Sequence, residues 1–209
     1  SWIKLPQGHV TVPAGPQVII PYMLTVPPGA DPGDHAGGIV ASSEVPSKLP
    51  DGNTVILSRR TGVRLYLRVH GQLRSNLVPE TMRVSYRSQV NPFSGKVRVR
   101  FRVVNRGNVR QAGSYHLTVS GALGTGKHDL GSREFPELLP GQSVEVAEEV
   151  SGVPALFVAR ASVTVTPKAG GDVAASQPTK RSAQAFAAPV LPLAIVVVFL
   201  AALVVWRVL

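Results

Sequence analysis

The 209-residue chain has no cysteine. Disulfides, thiolate nucleophiles, cysteine-ligated zinc and iron–sulfur clusters are excluded with it, so packing must stabilise the fold unaided. Acidic residues are scarce: 12 Asp and Glu stand against 22 Lys and Arg, for a formal net charge of +10. Catalytic patterns are missing too. The five histidines (His9, His35, His70, His116 and His128) are scattered without an HExxH pair, and no G-x-S-x-G nucleophile elbow occurs. The run Gly121 to Lys127 lacks the Ser or Thr of a phosphate loop, because His128 follows the lysine. The expectation is a protein that is not an enzyme, with no cofactor and no metal centre.

Long helix-period stretches are absent before residue 185. Proline (18) and glycine (20) are frequent; interior proline breaks helices, and this composition suits short strands separated by turns. One run differs. Ala185 to Trp206 holds no charged residue across 22 positions, and about 20 apolar residues span a bilayer core as a helix. Trp206 is placed as an interfacial aromatic and Arg207 as a cytoplasmic anchor. A single transmembrane helix over 185–207 is expected, with the N-terminal region extracytoplasmic and the C-terminus cytoplasmic. Residues 168–184, rich in small and polar side chains, read as a flexible linker.

The rest reads as two β units. Residues 1–71 contain strand candidates at Gln17–Val26, Ile39–Ser43, Asn53–Ser58 and Val63–Val69. In the last of these, apolar and polar residues alternate almost strictly, which marks one buried and one wet face. Residues 72–167 contain candidates at Lys96–Val103, Ser114–Ser120, Ser143–Val150 and Val158–Thr166. The first of these places Val97, Val99, Phe101 and Val103 on one face and Lys96, Arg98, Arg100 and Arg102 on the other. The fold class expected is mostly β: two immunoglobulin-like β-sandwich units followed by the helix. The chain opens at Ser1 in mid-pattern, so the first unit is expected to be incomplete.

Two stretches carry a resemblance. One is Val26-Pro27-Pro28-Gly29-Ala30-Asp31-Pro32-Gly33-Asp34-His35-Ala36-Gly37-Gly38-Ile39, followed by Arg60-Thr61-Gly62-Val63-Arg64-Leu65-Tyr66-Leu67-Arg68-Val69. The other combines Val104-Asn105-Arg106-Gly107-Asn108 with Leu139-Pro140-Gly141-Gln142-Ser143. Together they resemble the WxL-interacting proteins of Gram-positive bacteria, in a membrane-anchored actinobacterial form. That resemblance implies a peptidoglycan-binding first domain, a following immunoglobulin-like domain that meets a surface protein partner, and a C-terminal transmembrane helix.

Two groups of residues are candidate sites. Asp31, Asp34 and His35 lie among glycines. They read as turn chemistry, with Asp bonding nearby amides, or as a glycan contact through Asp34 and His35; two carboxylates are few for calcium. From Arg59 to Arg110 there are 13 Lys or Arg residues against one acid, Glu80, whereas Asp129 to Glu149 holds six acids and one arginine. Arg98, Arg100 and Arg102 share a face and repel one another unless anions or acids lie opposite. They either bind an anionic polymer or pair with Glu145, Glu148 and Glu149. The function expected is a membrane-anchored cell-surface binding or scaffolding protein. Its partners would be peptidoglycan or another anionic wall polymer, a surface protein, and membrane lipid through the helix, with no nucleic acid. The alternative is a non-catalytic accessory subunit of a membrane complex.

Overall fold

The computed structural model describes residues 1–15, 17–89, 91, 94–154, 157–168, 173–188 and 190–208. Near the N-terminus, β1 (Ile3–Lys4) pairs with β2 (Met23–Leu24) in a short antiparallel ladder. Next, β3 (Gly33–Lys48) and β4 (Thr54–Val69) form an antiparallel ribbon of sixteen residues per arm. At about 3.4 Å per residue each arm is roughly 54 Å long.

Residues 1–71 thus form two separate two-stranded ladders, and the expected partial sandwich is corrected here. The alternation in Val63–Val69 does produce a face, but only the short β1–β2 ladder lies against it, near the ribbon base, among the described residues. Toward the ribbon tip that face stays open: Val45, Leu57 and Val63 are 55%, 55% and 65% exposed. The expected strand Gln17–Val26 shrinks to Met23–Leu24, since Pro21 removes a ladder donor just before it.

The second region holds two sheets around one core. β5 (Leu77–Arg87), β6 (Gly95–Asn105) and β9 (Ser143–Val153) form a three-stranded sheet with β6 central. β7 (Gln111–Ser120), β8 (His128–Leu138), β10 (Phe157–Pro167) and β11 (Thr179–Ala187) form a four-stranded sheet in the order β11-β10-β7-β8. Val97, Val99, Phe101 and Val103 of β6 are at most 2% exposed and meet Tyr115, Leu117, Val119, Val163 and Val165 of the facing sheet in one apolar cluster. Each such side chain contributes about 1.5–3 kcal/mol by leaving water.

β11 corrects the linker assignment. Thr179 to Ala187 pairs with β10 in an unbroken register, Ala161 opposite Ala183 and Ala159 opposite Ala185. Its inward positions are alanines, so it carries little hydrophobic signal of its own. It also seals the joint between the sheets. Thr179 Oγ1 donates to the Leu77 carbonyl at 2.8 Å, Arg181 Nη1 to the Pro79 carbonyl at 3.4 Å and Ser88 Oγ to the Ala188 carbonyl at 3.3 Å. These contacts join residues 100 to 102 positions apart, so β5 and β11 run in the same direction, tied through side chains rather than a ladder.

The helix α1 (Val190–Val208) begins five residues after the expected start at Ala185, because Ala185–Ala187 belong to β11. Its 19 residues span about 28 Å at 1.5 Å each, slightly less than the roughly 30 Å of a hydrocarbon core. Among the described residues no helix is long and apolar enough to cross a membrane.

Candidate functional site

Two surfaces gather the residues singled out by sequence, and a loop joins them. The loop is Asn105-Arg106-Gly107-Asn108, after β6. Asn105 is fully buried; its Nδ2 donates to the Val109 and Leu138 carbonyls at 2.7 and 2.9 Å, and its Oδ1 accepts from Gly107 N at 3.0 Å. Asn108 reaches the other way, donating to the Pro32 and Gln72 carbonyls at 2.8 Å each. Gly33 enters the ribbon at φ +127°, where an added Cβ would lie 2.1 Å from the Asn108 carbonyl oxygen. Only glycine allows that approach, so the loop pins the base of the ribbon to the two-sheet unit.

Asp34 completes the joint. Its carboxylate accepts from Arg68 at 2.6 and 2.9 Å and from the Arg110 backbone N–H at 2.7 Å, and its side chain is 6% exposed. The Arg68 hydrogen bonds hold its carboxyl below the ordinary value of 3.8, against the opposing effect of burial. With its acceptors committed and its side chain covered, Asp34 braces the ribbon and presents little to a ligand.

His35 lies on the opposite face of β3. Its Nε2–H donates to the Asp31 carbonyl at 2.8 Å, and its ring lies 4.6 Å from that of Trp2 at a 44° tilt. A cleft of about 400 Å³ opens here, walled by Trp2, Tyr22, Leu24, His35, Leu65 and Leu67. Tyr22 is 47% exposed here; Tyr66, one position along from Leu65, turns its ring to the other face of the ribbon, where Arg110 lies 4.9 Å above it. The alternation of Val63–Val69 was the only local hint of this cleft; the aromatics converge from three separate stretches.

The second surface is the outer face of β5–β6–β9. Arg98 bonds Glu149 at 2.8 Å, and Lys96 approaches the same carboxylate at 3.6 Å. Glu80 accepts from Arg106 and lies 3.5 Å from Arg102. Arg98 first, and Arg106 first, lower the carboxyl pKa values of Glu149 and Glu80 respectively. Arg98 and Arg102 are therefore internally paired. Of the expected partners, Glu148 faces the other sheet, where it accepts from Tyr115 Oη and Arg133 Nη1 at 2.6 Å each. Burial, with this carboxylate second, raises the Tyr115 pKa. Arg100 has no carboxylate partner among the described residues, and neither has Arg83, its direct neighbour across the β5–β6 ladder. Sequence reading missed Arg83 because a β-bulge between Glu80 and Arg83 shifts the strand's alternation.

Among the described residues no group of three or more His, Asp or Glu side chains could hold a metal ion. No protein-family model matches the chain, and no curated protein matches it. Among solved structures, the chain is similar to the crystal structure of the ApaA protein from Bordetella pertussis. The identity is 16% and the TM-score 0.41, over 55% of this chain and 94% of that one. A likeness of that order carries no functional conclusion.

Proposed function

We propose that this chain is a membrane-anchored cell-surface binding and scaffolding protein whose ribbon-base cleft holds a wall glycan such as peptidoglycan. The observation that supports this is the cleft itself: the exposed face of Tyr22 beside the Trp2–His35 pair, in a space of about 400 Å³. Sugar rings present apolar C–H faces that lie on aromatic rings, and a few polar groups set their orientation. Behind the cleft, the two sheets share one core and exchange strands along the chain, which supports an immunoglobulin-like sandwich. Anchoring is supported by α1. Val197, Val198, Phe199 and Trp206 are 59%, 67%, 64% and 80% exposed, and a helix apolar on all sides belongs in a non-aqueous setting. The proposed topology places the β region outside the cell and Arg207 inside.

Co-sedimentation of the full chain, in detergent micelles, with purified sacculi tests the glycan reading. Trp2→Ala and Tyr22→Ala should each weaken binding by roughly the 1–3 kcal/mol lost with a stacking platform, a value measured for bases on aromatic rings. Sacculus binding that is unchanged in both variants overturns the reading.

A further inference from the structure

We propose that the bulged outer face of β5–β6–β9 is a separate site for a phosphodiester anion, held by Arg83 and Arg100 with Arg102 and Thr81 beside them. The inference goes beyond the glycan reading and does not depend on it.

Arg83 and Arg100 are Cα partners across the β5–β6 ladder, and both are exposed. Like charges directly opposite one another destabilise a sheet. Elsewhere on this face the repulsion is relieved: Glu149 serves Arg98 and Lys96, and Glu80 serves Arg102 and Arg106. The remaining carboxylate is Glu145, in register with Arg102 but in no ion pair among the described residues. The Arg83–Arg100 pair is thus left as two adjacent cations without a protein counterion.

The backbone shapes the place around them. Between Glu80 and Arg83 the bulge sets Thr81 and Met82 against the single residue Phe101, with Thr81 at φ 41°. A left-handed φ is strained for a β-branched residue, and bulges commonly re-aim side chains beside binding sites. A groove of about 570 Å³ opens here, lined by Thr81, Arg83, Arg100, Arg102 and Glu145 over the Phe101 backbone. Arg102 adds a second sign of a missing acceptor: its Nε–H is buried and bonds to nothing among the described residues.

The donor set fits phosphate chemistry. Guanidinium forks pair two N–H groups with two oxygens, and two forks on neighbouring strands match an anion that has non-bridging oxygens to share. The Thr81 hydroxyl is a further donor. Glu145, at the Arg102 side of the groove, disfavours an anion there and directs it toward Arg83 and Arg100. Phosphodiesters of this kind occur in soluble polymers and in lipid headgroups.

The test uses the full chain in neutral detergent micelles. One arm titrates polyglycerol phosphate; the other measures binding to phosphatidylcholine vesicles with and without phosphatidylglycerol. The native chain should bind the polymer, and Arg83→Gln/Arg100→Gln should bind about tenfold or more weakly. The slope of log affinity against log salt should become shallower by about 1.4, at ~0.7 per contact to a flexible phosphodiester chain. Arg98→Gln, whose native side chain is already paired, should bind within about twofold of native. Because removing a like-charge pair relieves repulsion, the double variant should melt no lower than native; if it fails to fold, Arg83→Gln alone takes its place. Binding only to the phosphatidylglycerol vesicles, lost in the same variant, supports the site and assigns its anion to lipid. Binding to neither probe, or an equal loss in Arg98→Gln, overturns the proposal.

Discussion

Asp34 shows how a single carboxylate can carry a joint between two parts of a chain. It holds Arg68 on the facing ribbon strand and the Arg110 amide on the two-sheet unit. Asp34→Asn keeps the shape and removes the charge. It should cost about 2 kcal/mol, the scale of hydrogen bonds to a charged group, read as a lower urea midpoint at an unchanged slope. The pH dependence follows from the lowered carboxyl pKa. In the unfolded chain the group titrates near 3.8, and in the folded chain below it. The stabilisation is therefore complete above the unfolded value and disappears as pH falls through the folded one. Native and Asp34→Asn chains should differ at pH 7 and converge as the pH falls below 3.8 and through the lower folded-state value; a difference that persists once both values are passed assigns the effect to shape rather than charge.

At the scale of elements, β11 and β5 show where local pattern stops being informative. β6 was legible because four large apolar residues alternate with four cations. β11 was not, because its inward residues are Ala183, Ala185 and Ala187, a composition equally typical of linkers. β5 was hidden for another reason: Leu77 and Pro79 point inward at odd positions and Met82, Val84 and Tyr86 at even ones, since the bulge reverses the phase. The β11 assignment can be checked. Ala183 is half-buried opposite Ala161, so Ala183→Asp should destabilise the two-sheet unit by about 1–3 kcal/mol through an unpaired buried polar group. Ser182→Asp, on the exposed side of the same strand, should stay within about 0.5 kcal/mol. Equal, negligible effects in urea melts would return the segment to a linker.

For the whole molecule, the contrast is between a tightly tied two-sheet unit and a long, open ribbon. Arg59, Arg60 and Arg64 are exposed in an isolated two-stranded element, and two strands alone are marginally stable. Lys180 and Arg181 also lie exposed, but within a paired strand of the larger unit. Trypsin added to intact cells should therefore cut first at Arg59, Arg60 or Arg64, leaving the two-sheet unit as the resistant fragment. Protection of the ribbon until the cells are lysed would overturn the extracytoplasmic topology proposed above; first cleavage at Arg181 would instead contradict the strand pairing.

Composition and alternation determined by themselves that this chain is mostly β, which faces of β4 and β6 are apolar, and that an apolar helix lies near residue 200. Those properties are local, since each follows from neighbours two to four positions away. The tertiary structure alone decided which cations are neutralised. Arg98 meets Glu149 across 51 positions and Arg106 meets Glu80 across 26, and strand register, not sequence spacing, selects those partners. It likewise turned Asp34 from a candidate ligand into a brace, gathered Trp2, Tyr22 and His35 into one cleft, and left Arg83 and Arg100 side by side. Each of these depends on where distant segments come to rest, which no short window of sequence encodes.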